Sequence, residues 1–184
     1  MSEKKFILAF DQSVKRSGWC LYQPHHVETM LFGHFDSAPD KEMSIIEKET
    51  RFADAIIKLF DDHKPDFVAW EAAAPDIRVM EGGHVNASQL ILHGLQGEIL
   101  MLCRERGIPC MAVHPKSWRA KILENGNLKK EEAKRKAVYT CRTILHIDVK
   151  NHDQAEAACI AIHASHSDLF RKVQAGLIPA ARAA

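Results

Sequence analysis

Four acidic residues stand at positions where a folded chain rarely leaves a charge without a partner. Asp11 follows the apolar run 6–10, and Glu71 follows the apolar run 67–70. An ionised carboxylate at the end of a buried strand is costly unless it is paired or binds a metal. Each acid taken alone could equally be a strand-end group that bonds a nearby turn.

The other two acids open a helical pattern. Asp153 and Glu156 are three residues apart, so they share one face of a helix, and residues 157–162 are almost entirely apolar. Acids in a first helical turn also complement the helix dipole, which is the alternative interpretation. That alternative explains one acid well, but it explains less well a pair that precedes a buried helix.

The four acids together favour a site for hard divalent cations. Oxygen-only ligands suit Mg²⁺ or Mn²⁺ and disfavour a structural zinc site. Two such ions about 3.5–4 Å apart can activate water and stabilise the leaving oxygen in phosphodiester cleavage. The pattern therefore predicts that Asp11, Glu71, Asp153 and Glu156 converge to hold metal ions.

The elements that must position these acids follow an α/β order. Hydrophobic patterning predicts strands at residues 5–11, 17–22, 28–36, 66–71 and 108–113. It predicts helices at residues 42–63, 86–106, 115–124, 128–145 and 151–165. Short connections favour antiparallel pairing of the first three strands, and the later strands alternate with helices.

Composition limits the classes of protein to consider. Hydrophobic residues make up 46% and charged residues 27% of the 184 residues, which excludes disorder, collagen or coiled coil as a global description. The formal charge of +1 excludes a uniformly basic coat but leaves room for a local basic stripe. We expect one domain over residues 1–170 and a poorly ordered, Ala-rich tail over residues 171–184.

The spacing of the cysteines and the first apolar run indicate the cellular compartment that we expect for this chain. No CxxC motif links the five cysteines, which are Cys20, Cys103, Cys110, Cys141 and Cys159. We therefore expect reduced thiols in the cytoplasm and no disulfide framework. The first apolar run, residues 6–10, is too short for a signal peptide or a membrane span, so we expect no membrane association.

A basic segment lies between Pro115 and Lys136. Eight basic and three acidic residues give it a net charge of +5, in a chain that is almost neutral overall. The basic residues are Lys116, Arg119, Lys121, Lys129, Lys130, Lys134, Arg135 and Lys136. A solvated helix face with Glu–Lys pairs would explain residues 128–136 but not residues 116–121. The segment is therefore the best candidate for contact with phosphates.

In three motifs, the sequence resembles the RuvC-type Holliday-junction resolvases. They are Phe6-Ile-Leu-Ala-Phe-Asp-Gln-Ser13 followed by Gly18-Trp19, Phe67-Val-Ala-Trp-Glu71, and His152-Asp-Gln-Ala-Glu-Ala-Ala-Cys-Ile-Ala-Ile162. The resemblance covers roughly residues 5–166. It implies an RNase H-like fold, with a mixed five-stranded sheet of three antiparallel strands and then two parallel ones, flanked by helices.

The resemblance also implies roles for individual residues. The metal-binding acids of the family carry over to Asp11, Glu71, Asp153 and Glu156, with two Mg²⁺ ions per active site that Mn²⁺ can replace. Glu156 stands where the bacterial enzymes usually have Asp. His152 is a further candidate metal ligand, with an exposed first-turn histidine as the alternative. Arg119 and Lys130 match the two basic catalytic positions of the family. The residues predicted to contact DNA are Arg78, Lys116, Arg119, Lys121, Lys129, Lys130 and Lys134.

The implied activity is a Mg²⁺-dependent endonuclease that nicks Holliday junctions and other branched DNA in recombination and repair. Its products would carry 5′-phosphate and 3′-hydroxyl ends, and no nucleotide cofactor would be needed. The family also implies a homodimer, formed here through Leu90, Ile91, Gly94, Gly97 and Met101. The loop 72–80 lacks the aromatic wedge of the bacterial members. Broader selectivity for branched DNA, as in some virus-encoded relatives, is therefore an open expectation.

Three other interpretations remain open. The RuvX/YqgF-like proteins share the core fold and would act on structured RNA. Actin-like ATPases and sugar kinases share the core topology, but they need a second lobe. A junction-binding module without catalytic activity is the third alternative.

Overall fold

The computed structural model describes residues 4–40, 42–74 and 86–178. Its five strands are β1 (Ile7–Asp11), β2 (Arg16–Tyr22), β3 (Leu31–Asp36), β4 (Phe67–Glu71) and β5 (Cys110–Val113). They form one sheet in the order β3-β2-β1-β4-β5. β1 pairs with β2, and β2 with β3, in antiparallel fashion, whereas the β1–β4 and β4–β5 pairs are parallel. The predicted mixed α/β sheet is confirmed.

Six α-helices accompany the sheet in the described part of the chain. They are α1 (Ile45–His63), α2 (Ala87–Glu105), α3 (Pro115–Ile122), α4 (Lys130–Tyr139), α5 (His152–Ser165) and α6 (Asp168–Gln174). Ser44 and Glu47 form a reciprocal capping box that starts α1. Lys64, with a φ of 44°, ends α1 in the left-handed conformation just before Pro65.

Both faces of the sheet are buried, which explains the continuous apolar runs in β1 and β4. Side chains alternate along a strand, so Ile7 and Ala9 face one layer while Leu8 and Phe10 face the other. α5 packs on the first of these faces, and α1 and α2 cover the second. A strand covered on both sides reads as uninterrupted hydrophobic sequence.

Most element boundaries lie within three residues of the sequence prediction, and three of the differences have a visible structural cause. The third strand begins at Leu31, because Val27–Thr29 form a 3₁₀ turn in which Met30 N–H donates to the Val27 carbonyl. The helix predicted over residues 128–145 consists of α4 followed by a π-helical turn, Thr140–Ile144. α6 crosses the boundary placed after residue 170, and its Phe170 and Val173 are buried. Residues 179–184 lie outside the described residues.

The helices of the described ranges bear on membrane association. None of them combines the length with the apolar composition that crossing a bilayer would require.

Candidate active site

The four acids that the sequence singled out line one cavity of about 320 Å³. Asp11 and Glu71 are the last residues of β1 and β4, two adjacent parallel strands that end at the same edge of the sheet. Asp153 and Glu156 come from the beginning of α5, and both are buried. Two strand ends and one helix start therefore bring the four carboxylates together, although 145 positions separate the first acid from the last.

A glycine allows α5 to approach the sheet closely. A Cβ atom added to Gly18 of β2 would lie 2.0 Å from the carbonyl oxygen of Asp153. Real Cβ atoms never come so near, so only glycine leaves space for this contact. Asn151 caps the same helix end by accepting a hydrogen bond from the Gln154 N–H at 3.0 Å. Gly18 and Asn151 together place Asp153 at the cavity.

Asp153 is held by two neighbours. Arg16 Nε donates to Asp153 Oδ2 at 2.6 Å, and His152 Nε2 lies 3.1 Å from Asp153 Oδ1. His152 itself lines a neighbouring cavity with Glu131, Lys134 and Arg135. Partial burial lowers the pKa of His152. The structure thus places His152 beside an acid of the site, but not on the wall of the carboxylate cavity.

Glu71 is held by a tryptophan. Trp118 is fully buried on α3, and its indole Nε1 donates to Glu71 Oε2 at 2.7 Å. The side-chain amide of Gln12 donates to the backbone carbonyl of the same glutamate. A buried indole N–H needs an acceptor, and here the acceptor is a carboxylate of the site.

Arg119 lies between two of the acids. Its Nη2 atom is 3.8 Å from Glu71 Oε2 and 3.9 Å from Glu156 Oε1, so both contacts are ionic rather than hydrogen bonds. Its guanidinium carbon lies 5.2 Å from the centroid of the Trp118 ring, a cation–π distance. Its Nε atom is buried and has no partner among the described residues.

Burial disfavours ionisation of Asp11, Glu71 and Glu156, and repulsion by neighbouring acids adds to this effect at Asp11 and Glu156. Burial is the main cause that raises the pKa of Asp11 well above its usual range, and Glu156, Glu71 and Asp153 add to the shift. Burial followed by Glu71 raises the pKa of Glu156 to about 7, against the opposing effects of Arg119 and Lys134. Burial also raises the pKa of Glu71, although the Trp118 hydrogen bond and Arg119 lower it. A cation among the acids would favour their ionised forms.

The residues fit a divalent cation by their chemistry, because all four acids offer oxygen ligands to one cavity. Within the described ranges, the Asp11 carboxylate has no hydrogen-bond or ion-pair partner. The side chains are nevertheless spread around the cavity. No three Asp, Glu, His or Cys groups of the described residues already have the spacing of a metal site. Binding of a cation would therefore require these side chains to move closer together.

The predicted DNA-binding residues lie at several different places in the structure. Arg119, Lys130 and Lys134 line the carboxylate cavity, and Lys116 lines an adjoining cavity. Lys129 is an exposed residue immediately before α4. Lys121 lies near His163 and His166, and partial burial followed by the charge of Lys121 lowers the pKa of both histidines. Those two histidines are at the far end of α5 from Asp153 and Glu156. Arg78 lies outside the described residues.

The residues predicted to form a dimer face also differ in their exposure. Leu90 and Met101 of α2 are exposed, and a Cβ atom added to Gly97 would meet open space. A Cβ atom on Gly94 would lie 2.7 Å from a carboxylate oxygen of Glu49 on α1. Ile91, which was also predicted for the dimer helix, is buried in the core between the sheet and the helices.

Sequence reasoning assigned no role to Arg16, Gln12 or Trp118 in this site. Their partners lie 47 to 137 positions away along the chain, so no local pattern indicates the contacts. One signal was available for Trp118, because a buried tryptophan within a basic segment still needs an acceptor for its N–H.

The fold of this chain is similar to that of several solved structures. No protein-family model and no curated protein matches the sequence. The structure of Thermus thermophilus RuvC matches with a TM-score of 0.64 at 15% identity, over 96% of this chain and 98% of that one. The chain has the RuvC fold. T. thermophilus RuvC in complex with Holliday junction substrate gives a TM-score of 0.63 at 16% identity, with the same coverage. The yeast mitochondrial Holliday junction resolvase Ydc2 gives 0.50 at 14% identity, over 96% of this chain and 82% of that one. The RuvC fold thus extends over nearly the whole chain, as the sequence motifs predicted.

Proposed function

We propose that this chain is a metal-dependent endonuclease that nicks Holliday junctions and other branched DNA. One observation carries the proposal. Four carboxylates from β1, β4 and α5 line a single cavity whose walls also contain Arg119, Lys130 and Lys134. Acids that need cations, beside basic groups that can hold phosphate, suit phosphodiester hydrolysis. The RuvC fold supports the choice of substrate, because one of the similar structures is a complex with Holliday junction substrate.

Asp11, Glu71, Asp153 and Glu156 would hold two Mg²⁺ ions, which Mn²⁺ could replace. Such ions, when bound, supply an activated water and a counter-charge for the leaving oxygen. The protein's own contribution is to position the acids. Arg16 orients Asp153, and Trp118 orients Glu71, each through a direct bond to the carboxylate.

The basic residues would position the substrate phosphate. Arg119 is the central one, because it already lies within 4 Å of two acids and borders two cavities. A guanidinium can hold a phosphate through two parallel hydrogen bonds. Arg119 would be available to contact the scissile phosphate if Glu71 and Glu156 held cations, because their charges would then no longer attract its guanidinium alone. Lys130 and Lys134 would stabilise the charge that develops on that phosphate.

The finer features of this function are also proposals. We expect products with 5′-phosphate and 3′-hydroxyl ends, and a role in DNA recombination and repair in the cytoplasm. We expect a homodimer whose contact uses Leu90 and Met101, two exposed residues of α2. Two active sites related by a two-fold axis would suit the near-symmetric strands of a four-way junction.

The test is a denaturing gel of end-labelled DNA. A four-way junction, a three-way fork, a linear duplex, a single strand and, for comparison, an end-labelled structured RNA are each incubated with and without Mg²⁺. We expect paired, symmetric, Mg²⁺-dependent cuts in the junction, and their loss in Asp11→Asn. Equal cutting of the fork would indicate a general debranching nuclease. Binding to the junction without cleavage under any divalent ion would indicate a binding module. Cleavage of structured RNA alone would indicate a ribonuclease.

A further inference from the structure

A second cavity, of about 500 Å³, adjoins the carboxylate cavity. Arg119 lines both cavities and therefore forms their shared wall. We call the second one the flanking cavity, and define it by Ala72–Ala74, His114, Lys116, Arg119 and Asn127. None of the four acids lines it, so it cannot take part in holding the metal ions. Its volume is within the range of pockets that bind small organic groups.

The flanking cavity is built by a close contact between two segments. A Cβ atom added to Gly126 would lie 2.8 Å from the carbonyl oxygen of Lys116. The connection between α3 and α4 therefore packs directly on the beginning of α3. Asn127 directly follows Gly126 and lines the cavity together with His114 and Lys116, and all three residues are exposed.

The polar groups of the cavity can distinguish one base from another. His114 caps α3, and its Nδ1 accepts the Lys116 N–H at 3.2 Å. An imidazole that accepts at Nδ1 carries its proton on Nε2, which is therefore a donor. The side-chain amide of Asn127 offers both a donor and an acceptor, the pair that matches the edge of adenine. Ala72–Ala74 provide small apolar side chains against which a flat ring can lie.

The shared wall fixes which part of the substrate would reach this cavity. When a phosphate occupies the carboxylate cavity and contacts Arg119, the other side of Arg119 is available to the adjacent nucleotide. Lys116 adds a positive charge there. We propose that the flanking cavity binds the nucleotide next to the scissile phosphate, and that Asn127 and His114 select its base. This inference rests on the proposed nuclease function and adds to it a base preference at one position.

The first experiment uses four-way junctions with randomised base pairs around the crossover. Mg²⁺-dependent products are sequenced for the wild type, for Asn127→Ala and for Ser117→Ala. Ser117 is exposed on the same helix as Lys116 and does not line the flanking cavity, so it is the matched control. We expect a preference at one position beside the cut. Asn127→Ala should weaken it by about fivefold or more, as loss of a base contact does, and Ser117→Ala should preserve it.

The second experiment fills the cavity. Ala73→Leu adds bulk to its wall and leaves all four acids and Arg119 in place. We expect a higher KM for the junction with a smaller change in kcat, because binding of the adjacent nucleotide is obstructed. Circular dichroism and the unfolding midpoint verify that this variant folds.

Different outcomes overturn different statements. Cleavage without any base preference, or a preference that Asn127→Ala leaves intact, would overturn the inference and preserve the nuclease. An unchanged KM in a folded Ala73→Leu protein would also overturn it. A wild-type protein that cleaves no junction would overturn the proposed function itself, and the inference with it.

Discussion

The carboxylate cavity and the contact between α1 and α2 both contain acidic side chains that repel one another. At the second place, partial burial and the nearby Glu49 raise the pKa of Glu98 to about 7, the value that Glu156 reaches in the cavity. Glu98 Oε2 is buried and has no partner in the part of the chain that the structure describes. The two acids Glu98 and Glu156 therefore look alike if only their proton affinity is considered.

The groups that surround Glu98 and Glu156 are different. Glu156 shares its cavity with three other acids and with Arg119, Lys130 and Lys134. The neighbouring charge that acts on Glu98 is a single further acid from the adjacent helix. A raised pKa reports burial and like charge wherever they occur, and it marks a catalytic site only when complementary groups converge on it. The following predictions test this distinction.

The largest expected effect concerns cleavage. Asp11→Asn removes the charge of a proposed metal ligand with little change in side-chain size, and we expect the rate of junction cleavage to fall about a hundredfold or more. The matched variant is Glu98→Gln, which neutralises the other acid of raised pKa and should retain most of the activity. End-labelled junction DNA on denaturing gels measures both. Equal losses in the two variants would contradict the distinction between the two regions.

The second prediction concerns two glycines. Gly18→Ala would force Asp153 away from β2, because the new Cβ meets the Asp153 carbonyl. We expect a loss of about 1–3 kcal/mol in the free energy of unfolding, together with reduced cleavage. Gly97→Ala, on α2 where a Cβ atom meets open space, should instead stabilise the protein by up to about 1 kcal/mol. Urea unfolding at one pH compares them. A stable and fully active Gly18→Ala protein would show that this close contact does not position Asp153.

The third prediction follows from the raised pKa of Glu156. Its ordinary value is 4.5 and its folded value is about 7, so between these pH values the folded state keeps a proton that the unfolded state has lost. The free energy of unfolding should therefore fall as the pH rises through this window. Glu156→Gln, unfolded by urea in EDTA, should remove on the order of 3 kcal/mol of that fall. Glu98→Gln should also reduce the fall in the free energy of unfolding, but by a smaller amount, because Glu98 is only partly buried. A pH dependence unchanged in Glu156→Gln would refute the shift.

The fourth and smallest expected effect is metal-dependent stabilisation. Mg²⁺ at ten times its dissociation constant should raise the free energy of unfolding by about 1.4 kcal/mol, because it binds the folded state alone. Asp11→Asn should largely abolish this gain, whereas Glu98→Gln should preserve it. Thermal unfolding with and without Mg²⁺ gives the answer independently of catalysis. A gain that survives in Asp11→Asn would place the metal elsewhere.

Local sequence patterns were enough to predict the strands and to single out the acids that end two of them. The runs before Asp11 and Glu71 are apolar at every position, which predicts strands covered on both faces, and a charge at the end of such a run is conspicuous. The start of β3 was not predictable in this way. Glu28 and Thr29 lie in a 3₁₀ turn, and a short turn beside a strand leaves no periodic signal.

Chemical identity and order along the chain therefore came from the sequence alone: which residues are acids, which strands they end, and which segment is basic. Only the tertiary structure decided which of these side chains contact one another. It set Arg16 on Asp153 and Trp118 on Glu71, and it separated Lys134 in the cavity from Lys121 beside the far histidines. The physical reason is that an apolar run or a periodic pattern involves residues that are close together in the sequence, so the sequence alone indicates it. A hydrogen bond between residues 137 positions apart depends on packing, as does a close contact such as that of Gly18 with Asp153, and packing exists only once the sheet and α5 have come together.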